Sequence, residues 1–287
     1  MPEGPEVYTF GLELFDYFQN NILTKIKILS GKYKKKKFVG YNLLKKLLPS
    51  NILSVSTYGK ILLLQLESDN YIIITFGMTG FITSNNIIHN HIEFVTKKSE
   101  QYNQRLFYND QRNFGNIYVL SNDLLNKKIK DLGPDLLDDK TTFQIFKNRF
   151  NIYKKKYPDT EICLSLIDQS FICGIGNYLR SEILYYSKIN PYRQLKSISN
   201  NDVKYIYENA YNLMRYYASI QININDFDHL KSFKIYKSDL KYDLKLTPKS
   251  VGRVFMIYEQ TYDIHNNKVS KEKIKGRSIY WVKNIQI

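Results

Sequence analysis

The chain has 287 residues and carries 42 Lys and Arg against 27 Asp and Glu, a formal net charge of +15. Its length allows one large or two ordinary domains with a sizeable core, and 43% hydrophobic with 15% aromatic residues excludes global disorder. Apolar runs such as Ile61–Leu64 and Ile72–Ile74 are far too short to cross a bilayer, and residues 1–15 lack the basic and apolar regions of a secretory signal.

Two cysteines, Cys163 and Cys173, cannot build a disulfide framework or a four-thiolate zinc site. An intracellular, reducing setting is expected, with both thiols read as buried small hydrophobes. A pI near 9.4 makes a polyanion the natural partner, ahead of a membrane surface or an acidic protein. Part of the Lys excess is compositional, since the chain is crowded with Lys, Asn, Ile and Tyr and has only two alanines, Ala210 and Ala218. The runs Lys34–Lys37 and Lys154–Lys156 are read as solvated charge that adds nonspecific attraction to a polyanion.

In chain order, Val7, Phe10, Leu14 and Phe18 recur at helical spacing and predict an amphipathic helix over 5–20. Pro5 suits its first turn, where a missing N–H costs nothing. Residues 32–37 are expected to form a basic loop. Strands are expected over 52–56, 60–66, 71–76, 92–96 and 116–120, a serial antiparallel pattern that predicts a two-sheet β-sandwich. Residues 121–150 turn helical with a break at Gly133-Pro134-Asp135. Residues 141–219 read as mostly helical, broken at Pro158, Gly174, Gly176 and Pro191. The terminal stretch reads as a hairpin with arms Val251–Tyr262 and Arg277–Ile285. The fold class is therefore α+β, with a β-sandwich over 1–132, a linker over 133–140, a helical domain over 141–250 and a hairpin over 251–287.

The opening Met1-Pro2-Glu3-Gly4-Pro5-Glu6 offers one chemistry. Removal of Met1 leaves Pro2 as a free secondary amine. An α-amino group titrates at about 7.7–8.0, and a helix N-terminus lowers that further. A neutral amine beside carboxylates is a nucleophile with its own acid/base partners. Taken alone, the same six residues also make an ordinary helix start. A second motif is Ser170–Tyr185, where Gly174 and Gly176 end one helix and Asn177 opens the next. That geometry aims backbone N–H groups and a helix dipole at an anion, or makes a simple elbow. His89-Asn90-His91 lacks a third metal ligand and is read as a strand end or surface feature.

Together these segments resemble the formamidopyrimidine-DNA glycosylase/endonuclease VIII family. Pro2-Glu3-Gly4-Pro5-Glu6 is similar to its catalytic amino terminus, in the form of the endonuclease VIII branch. Gly174-Ile175-Gly176-Asn177-Tyr178-Leu179 resembles its helix–two-turn–helix phosphate site, preceded by Leu166-Ile167-Asp168-Gln169. Gly133-Pro134-Asp135-Leu136-Leu137 matches its linker, and Tyr58-Gly59-Lys60 its strand lysine. Gly77-Met78-Thr79-Gly80 and Arg112-Asn113-Phe114-Gly115 match its intercalating loops. The matches run in order over nearly the whole chain.

The resemblance implies a bifunctional glycosylase/AP lyase of base-excision repair acting on damaged duplex DNA, with single-stranded DNA as an alternative substrate. Pro2 would be the nucleophile, Glu3 the general acid/base and Glu6 an orienting group. Lys60 would contact the phosphate beside the lesion. Asn177, with Gly174 and Gly176, would hold another phosphate. Met78, Arg112 and Phe114 would fill the void left by a flipped base. No Cys follows Cys173, which excludes the family's cysteine zinc finger and implies the metal-free hairpin of the endonuclease VIII-like branch, with Arg277 as its phosphate contact and Trp281, Phe255 and Tyr258 packing it. No metal, no cofactor, no membrane association and a monomer are expected. Asn113 and Thr75 replace an arginine and a histidine usual in the formamidopyrimidine branch. Oxidised pyrimidines and hydantoins are the expected bases, with 8-oxoguanine preference and noncatalytic lesion binding as rivals.

Overall fold

The computed structural model describes residues 2–18, 21–99, 102–224 and 241–287. The chain divides into two compact units between Asp131 and Leu132.

The first unit opens with helix α1 (Gly4–Phe18). Val7, Leu14 and Phe18 are buried, and the Phe10 ring meets Phe76 with centroids 4.9 Å apart. Strand β1 (Ile22–Ile28) leads to a single turn, α2 (Lys32–Lys35), and to α3 (Tyr41–Leu47). The basic run is thus partly helical rather than a loop. Tyr33 explains this: its ring is buried and its hydroxyl accepts the Ile117 N–H at 2.7 Å, which pins the turn despite its lysines.

Strands β2 (Ser50–Tyr58), β3 (Ile61–Leu66), β4 (Asn70–Thr75), β5 (Gly80–Thr83), β6 (Asn90–Ser99), β7 (Tyr102–Asp110) and β8 (Asn116–Ser121) follow, then α4 (Asn122–Ile129). Hydrogen bonding orders them β5-β7-β6-β1-β2-β3-β4-β8, all antiparallel. The β1–β2 junction holds only through Ile22 opposite Asn51 and Leu23 opposite Ser50. The two four-stranded halves share one core, Leu23, Ile26, Ile92 and Phe94 from one and Leu62, Leu64, Ile72 and Ile74 from the other. The unbroken apolar run of β3 follows from burial on both faces. Alternate side chains point to opposite faces, so Leu62, Leu64 and Leu66 enter the shared core while Leu63 joins Ile73 and Leu125 beneath α4.

The second unit contains α5 (Phe143–Lys156), α6 (Ile162–Ser165), α7 (Asn177–Tyr186) and α8 (Asn200–Ile224). Thr142 caps α5 by accepting the Ile145 N–H. The segment 133–140, expected to be a linker, is packed into this unit. Gly133 N–H donates to Gln169 O at 2.8 Å, Leu136 is fully buried, and buried Arg215 donates to Leu136 O and Asp139.

The terminal hairpin pairs β9 (Ser270–Ile274) with β10 (Arg277–Trp281). Its first arm is therefore 270–274 and not 251–262, which forms a short 3₁₀ turn and bends. The apolar content that suggested a strand there serves packing instead. Met256 and Ile257 are buried with Tyr185 and Tyr280, and Phe255 stacks among Tyr178, Tyr217 and Tyr258. Much of the stretch 219–247, to which the sequence assigns no role, lies outside the described residues.

Candidate active site and DNA-contact surfaces

The amino-terminal candidates sit at the start of α1. Glu6 Oε2 accepts the backbone N–H of Glu3 at 2.8 Å. This is one arm of a capping box, in which the third helical residue reaches back to the cap. The bond fixes the peptide unit that joins Pro2 to Glu3. Glu3 is buried, 1% exposed, while Pro2 is half-buried and reachable. Lys60 lies in the two-residue turn Gly59-Lys60 between β2 and β3, where Tyr58 pairs with Ile61 and Gly59 takes φ +57°. Helix α1 rests closely on β2, since a Cβ at Gly11 would come 2.6 Å from Thr57.

Met78, Arg112 and Phe114 project from two loops that the structure ties together. Met78 and Phe114 are 40% and 55% exposed, and the Arg112 guanidinium lies 5.0 Å over the Phe114 ring. The tie is Asp110, fully buried at the end of β7. Its carboxylate accepts the Thr79 hydroxyl at 2.7 Å and the Gly115 N–H at 2.7 Å, and Thr79 Oγ1 accepts the Arg112 N–H at 3.0 Å. Lys32 Nζ donates to Gly115 O at 2.6 Å and Asn116 Oδ1 at 2.9 Å. Burial pulls the Lys32 ammonium below its ordinary value, opposed by the nearby Asp110 charge. Thr75 also belongs here, accepting the Asn116 N–H at 2.9 Å.

Asp110, Thr79 and Lys32 are site-building residues that the sequence reading passed over. Their roles escape a local pattern, because the Thr79–Asp110 bond and the Lys32 bonds span 31, 83 and 84 positions. His91 is likewise no surface residue. It is the second residue of β6 and is buried, with Nδ1 2.7 Å from Ser30 Oγ and Nε2 2.8 Å from Asp110 O.

In the second unit, the turn before α7 is held by Gln169. Its Oε1 accepts the Gly174 N–H at 3.0 Å, and its Nε2 donates to Ile175 O at 2.9 Å. Gly174 takes φ +91°, which a side chain would resist. Burial pushes the Asp168 carboxyl up, but hydrogen bonds from Tyr153 and Ser170 outweigh it and leave the group below its ordinary value. Gly176 caps α7 without a side-chain hydrogen bond. The buried Oδ1 of Asn177 has no hydrogen-bond partner among the described residues. Arg277 stands exposed at the hairpin tip beside Gly276, which has φ +77°.

Cys163 and Cys173 are buried, and burial pushes the Cys163 thiol up to about 11, far from thiolate chemistry. Lys34 and Lys37 line a depression of about 440 Å³ with Lys25, Lys27 and Lys45, and none of the candidate site residues borders it.

The profile of the formamidopyrimidine-DNA glycosylase N-terminal domain matches residues 1–117, and that of the formamidopyrimidine-DNA glycosylase H2TH domain matches residues 132–225. A formamidopyrimidine-DNA glycosylase of Lactobacillus gasseri is 30% identical over 219 residues, covering 73% of this chain and 74% of the relative. The chain belongs to the formamidopyrimidine-DNA glycosylase family. Another member, from Rickettsia africae, is 29% identical over 210 residues, covering 71% of this chain and 73% of that protein. The fold is shared with the Lactococcus lactis enzyme crystallised on DNA containing an AP site, with TM-score 0.77, 20% identity and 99% of each chain covered. It is shared equally with the Thermus thermophilus enzyme, with TM-score 0.77, 20% identity and 99% and 98% coverage. Members of this family are DNA glycosylases with AP lyase activity, and the chain is an enzyme of that class.

Proposed function

We propose that the chain excises oxidised bases, pyrimidines and hydantoins foremost, from duplex DNA and then cuts the strand by β,δ-elimination. It acts as a monomer wherever the cell or a replicating genome keeps its DNA. The observation that carries this reading is the Glu6 carboxylate on the Glu3 N–H, 2.8 Å long, beside a buried Glu3 carboxyl. It presents the Pro2 nitrogen on a fixed peptide with an acid/base next to it.

With Met1 removed, the Pro2 amine attacks C1′ of the flipped nucleotide. The glycosidic bond breaks and the base leaves with a proton. Glu3 protonates the sugar ring oxygen as the ring opens, leaving an iminium between Pro2 and C1′. The iminium acidifies the C2′ proton. Its loss expels the 3′ phosphate, and a second elimination expels the 5′ phosphate. Lys60 and Arg277 neutralise phosphates flanking the lesion. The buried Oδ1 of Asn177, which has no hydrogen-bond partner among the described residues, supports a ligand role, because leaving such an atom unsatisfied costs about 1–3 kcal/mol. The segment 251–287 would act as a metal-free finger.

A second reading, preference for 8-oxoguanine or formamidopyrimidine, is favoured by the grouping of Met78, Arg112 and Phe114 and by the names of the relatives. Single-turnover excision separates the two. Faster release of dihydrouracil than of 8-oxoguanine opposite cytosine is expected, and the reverse order would establish the second reading.

A further inference from the structure

The Arg277 hairpin is bound to α7 by three successive residues of that helix. Arg180, with no exposed surface, donates to Cys163 O at 3.2 Å and to Ser278 O at 2.8 Å. Ser181 Oγ accepts the Tyr280 N–H at 3.3 Å. Glu182 makes the densest connection. Its Oε2 accepts the Met256 N–H at 2.9 Å, and its Oε1 accepts the N–H groups of Ile257 and Tyr258, each at 2.9 Å. Tyr217 donates to Oε2 at 3.2 Å. Three consecutive backbone N–H groups thus converge on one carboxylate, the arrangement by which protein backbone binds an anion, with the anion supplied by the chain itself.

Glu182 is fully buried, and no lysine or arginine pairs with it in these contacts. A buried carboxylate is expensive unless hydrogen bonds satisfy it; here burial pushes the Glu182 carboxyl above its ordinary value, while the three N–H groups and the Tyr217 hydroxyl pull it back and hold it in place. The clamp lies at the root of the hairpin. From 256–258 the chain runs to Asp263, which accepts the Tyr185 hydroxyl at 3.1 Å and the His265 and Asn267 N–H groups at 2.9 and 2.8 Å. It then enters β9 and β10. The Tyr258 ring packs on Tyr280 of β10 with centroids 5.0 Å apart. Helix α7 begins at Asn177, so one helix carries the proposed phosphate-site residue at its start and the hairpin root five positions on.

We infer that Glu182 is a positioning residue for the Arg277 phosphate contact, doing with a buried carboxylate and three N–H groups what other small fingers do with a metal. This rests on the reading of Arg277 as a DNA contact. Glutamine at 182 would keep the shape but turn an NH₂ toward donors, breaking one side of the clamp. Simple electrostatics gives the opposite sign: removing a negative charge from a DNA-binding protein should tighten binding.

The test measures Kd for a duplex bearing a tetrahydrofuran abasic analogue over a salt series, for E182Q, R277A and the double variant. R277A is expected to weaken binding on the order of tenfold and to reduce the salt slope by about 1. E182Q should weaken binding and flatten the slope in the same direction, and the double variant should be no worse than R277A alone. Tyr217→Phe removes one hydrogen bond to the clamp and leaves the charge. It should give a smaller effect of the same kind, and it keeps the test decisive if E182Q does not fold. A wild-type slope in E182Q or Tyr217→Phe, or effects that add to R277A, would overturn the positioning role. A wild-type slope in R277A would instead remove the DNA contact on which it rests.

Discussion

The Thr79 hydroxyl and the Asp110 carboxylate meet at 2.7 Å and join two loops that are 31 residues apart in sequence. The same carboxylate takes the Gly115 N–H and the same hydroxyl takes the Arg112 N–H. The backbones that carry Met78 and the Arg112–Phe114 pair are therefore tied together in the folded protein, so these side chains, as a proposed void-filling group, would need little further ordering on DNA. Asp110→Asn should destabilise the fold by about 1–3 kcal/mol in urea unfolding. It should also slow single-turnover base excision from duplex more than it slows cleavage of a preformed abasic site, where no base need be extruded. Equal slowing of both reactions would contradict this.

The close approach of the two loops has its own test. A Cβ at Gly115 would stand 1.9 Å from Tyr108 Oη and 2.3 Å from Thr75 O. Gly115→Ala should lower the stability of the first unit by about 1–3 kcal/mol or more, since neither neighbour can retreat without breaking the Tyr108–Thr75 hydrogen bond of 3.2 Å. An unchanged urea midpoint would show that the loops are looser than described.

Asn177 and Lys60 should separate by salt. Asn177 is neutral, so Asn177→Ala should weaken duplex affinity similarly for damaged and undamaged sequence while leaving the salt slope unchanged. Lys60→Gln should reduce that slope by about 1. The assay is fluorescence anisotropy between low and physiological salt. A slope change in Asn177→Ala, or none in Lys60→Gln, would reverse the assignments.

Alkaline pH should unfold the protein through its tyrosines. Burial raises Tyr17 to about 12, opposed by a hydrogen bond with Thr96, and burial likewise raises Tyr108, Tyr186 and Tyr217. Each gives stability that is fully present below the ordinary tyrosine value of 10.0 and is lost as pH climbs toward the folded values. On the acid side, Asp168, Asp202 and Asp263 are held below 3.8, because hydrogen bonds outweigh their burial. Their contribution is present above that value and is lost as pH falls beneath it. The melting temperature should therefore decline above about pH 10, in step with tyrosinate absorbance. Tyrosine ionisation that precedes unfolding would contradict this.

Local chemistry was legible in the sequence and long-range chemistry was not. The helix carrying Val7 and Leu14 and the strand Ile61–Leu66 could be read from periodicity and apolar runs. Strand β7 could not, since Tyr102–Asp110 is edged by polar residues whose partners lie on β5 and β6. The hairpin's first arm was misplaced because Met256 and Ile257 are apolar for packing, whereas Ser270–Ile274 carries the polar alternation of an exposed strand. Pro2, Asn177 and Arg277 were singled out through ordered motifs, and their roles stand as proposals. Asp110, Gln169 and Glu182 were not assigned roles, because each works through backbone groups that no side-chain pattern announces.

Borohydride reduction of the protein on DNA containing an abasic site or thymine glycol tests the central claim most directly. A covalent protein–DNA complex is expected, with peptide mapping placing the link on the Pro2 nitrogen. Pro2→Gly with an acetylated amino terminus should abolish it. Failure of the wild type to cross-link, or undiminished cross-linking by that variant, would contradict the amine chemistry proposed for this chain.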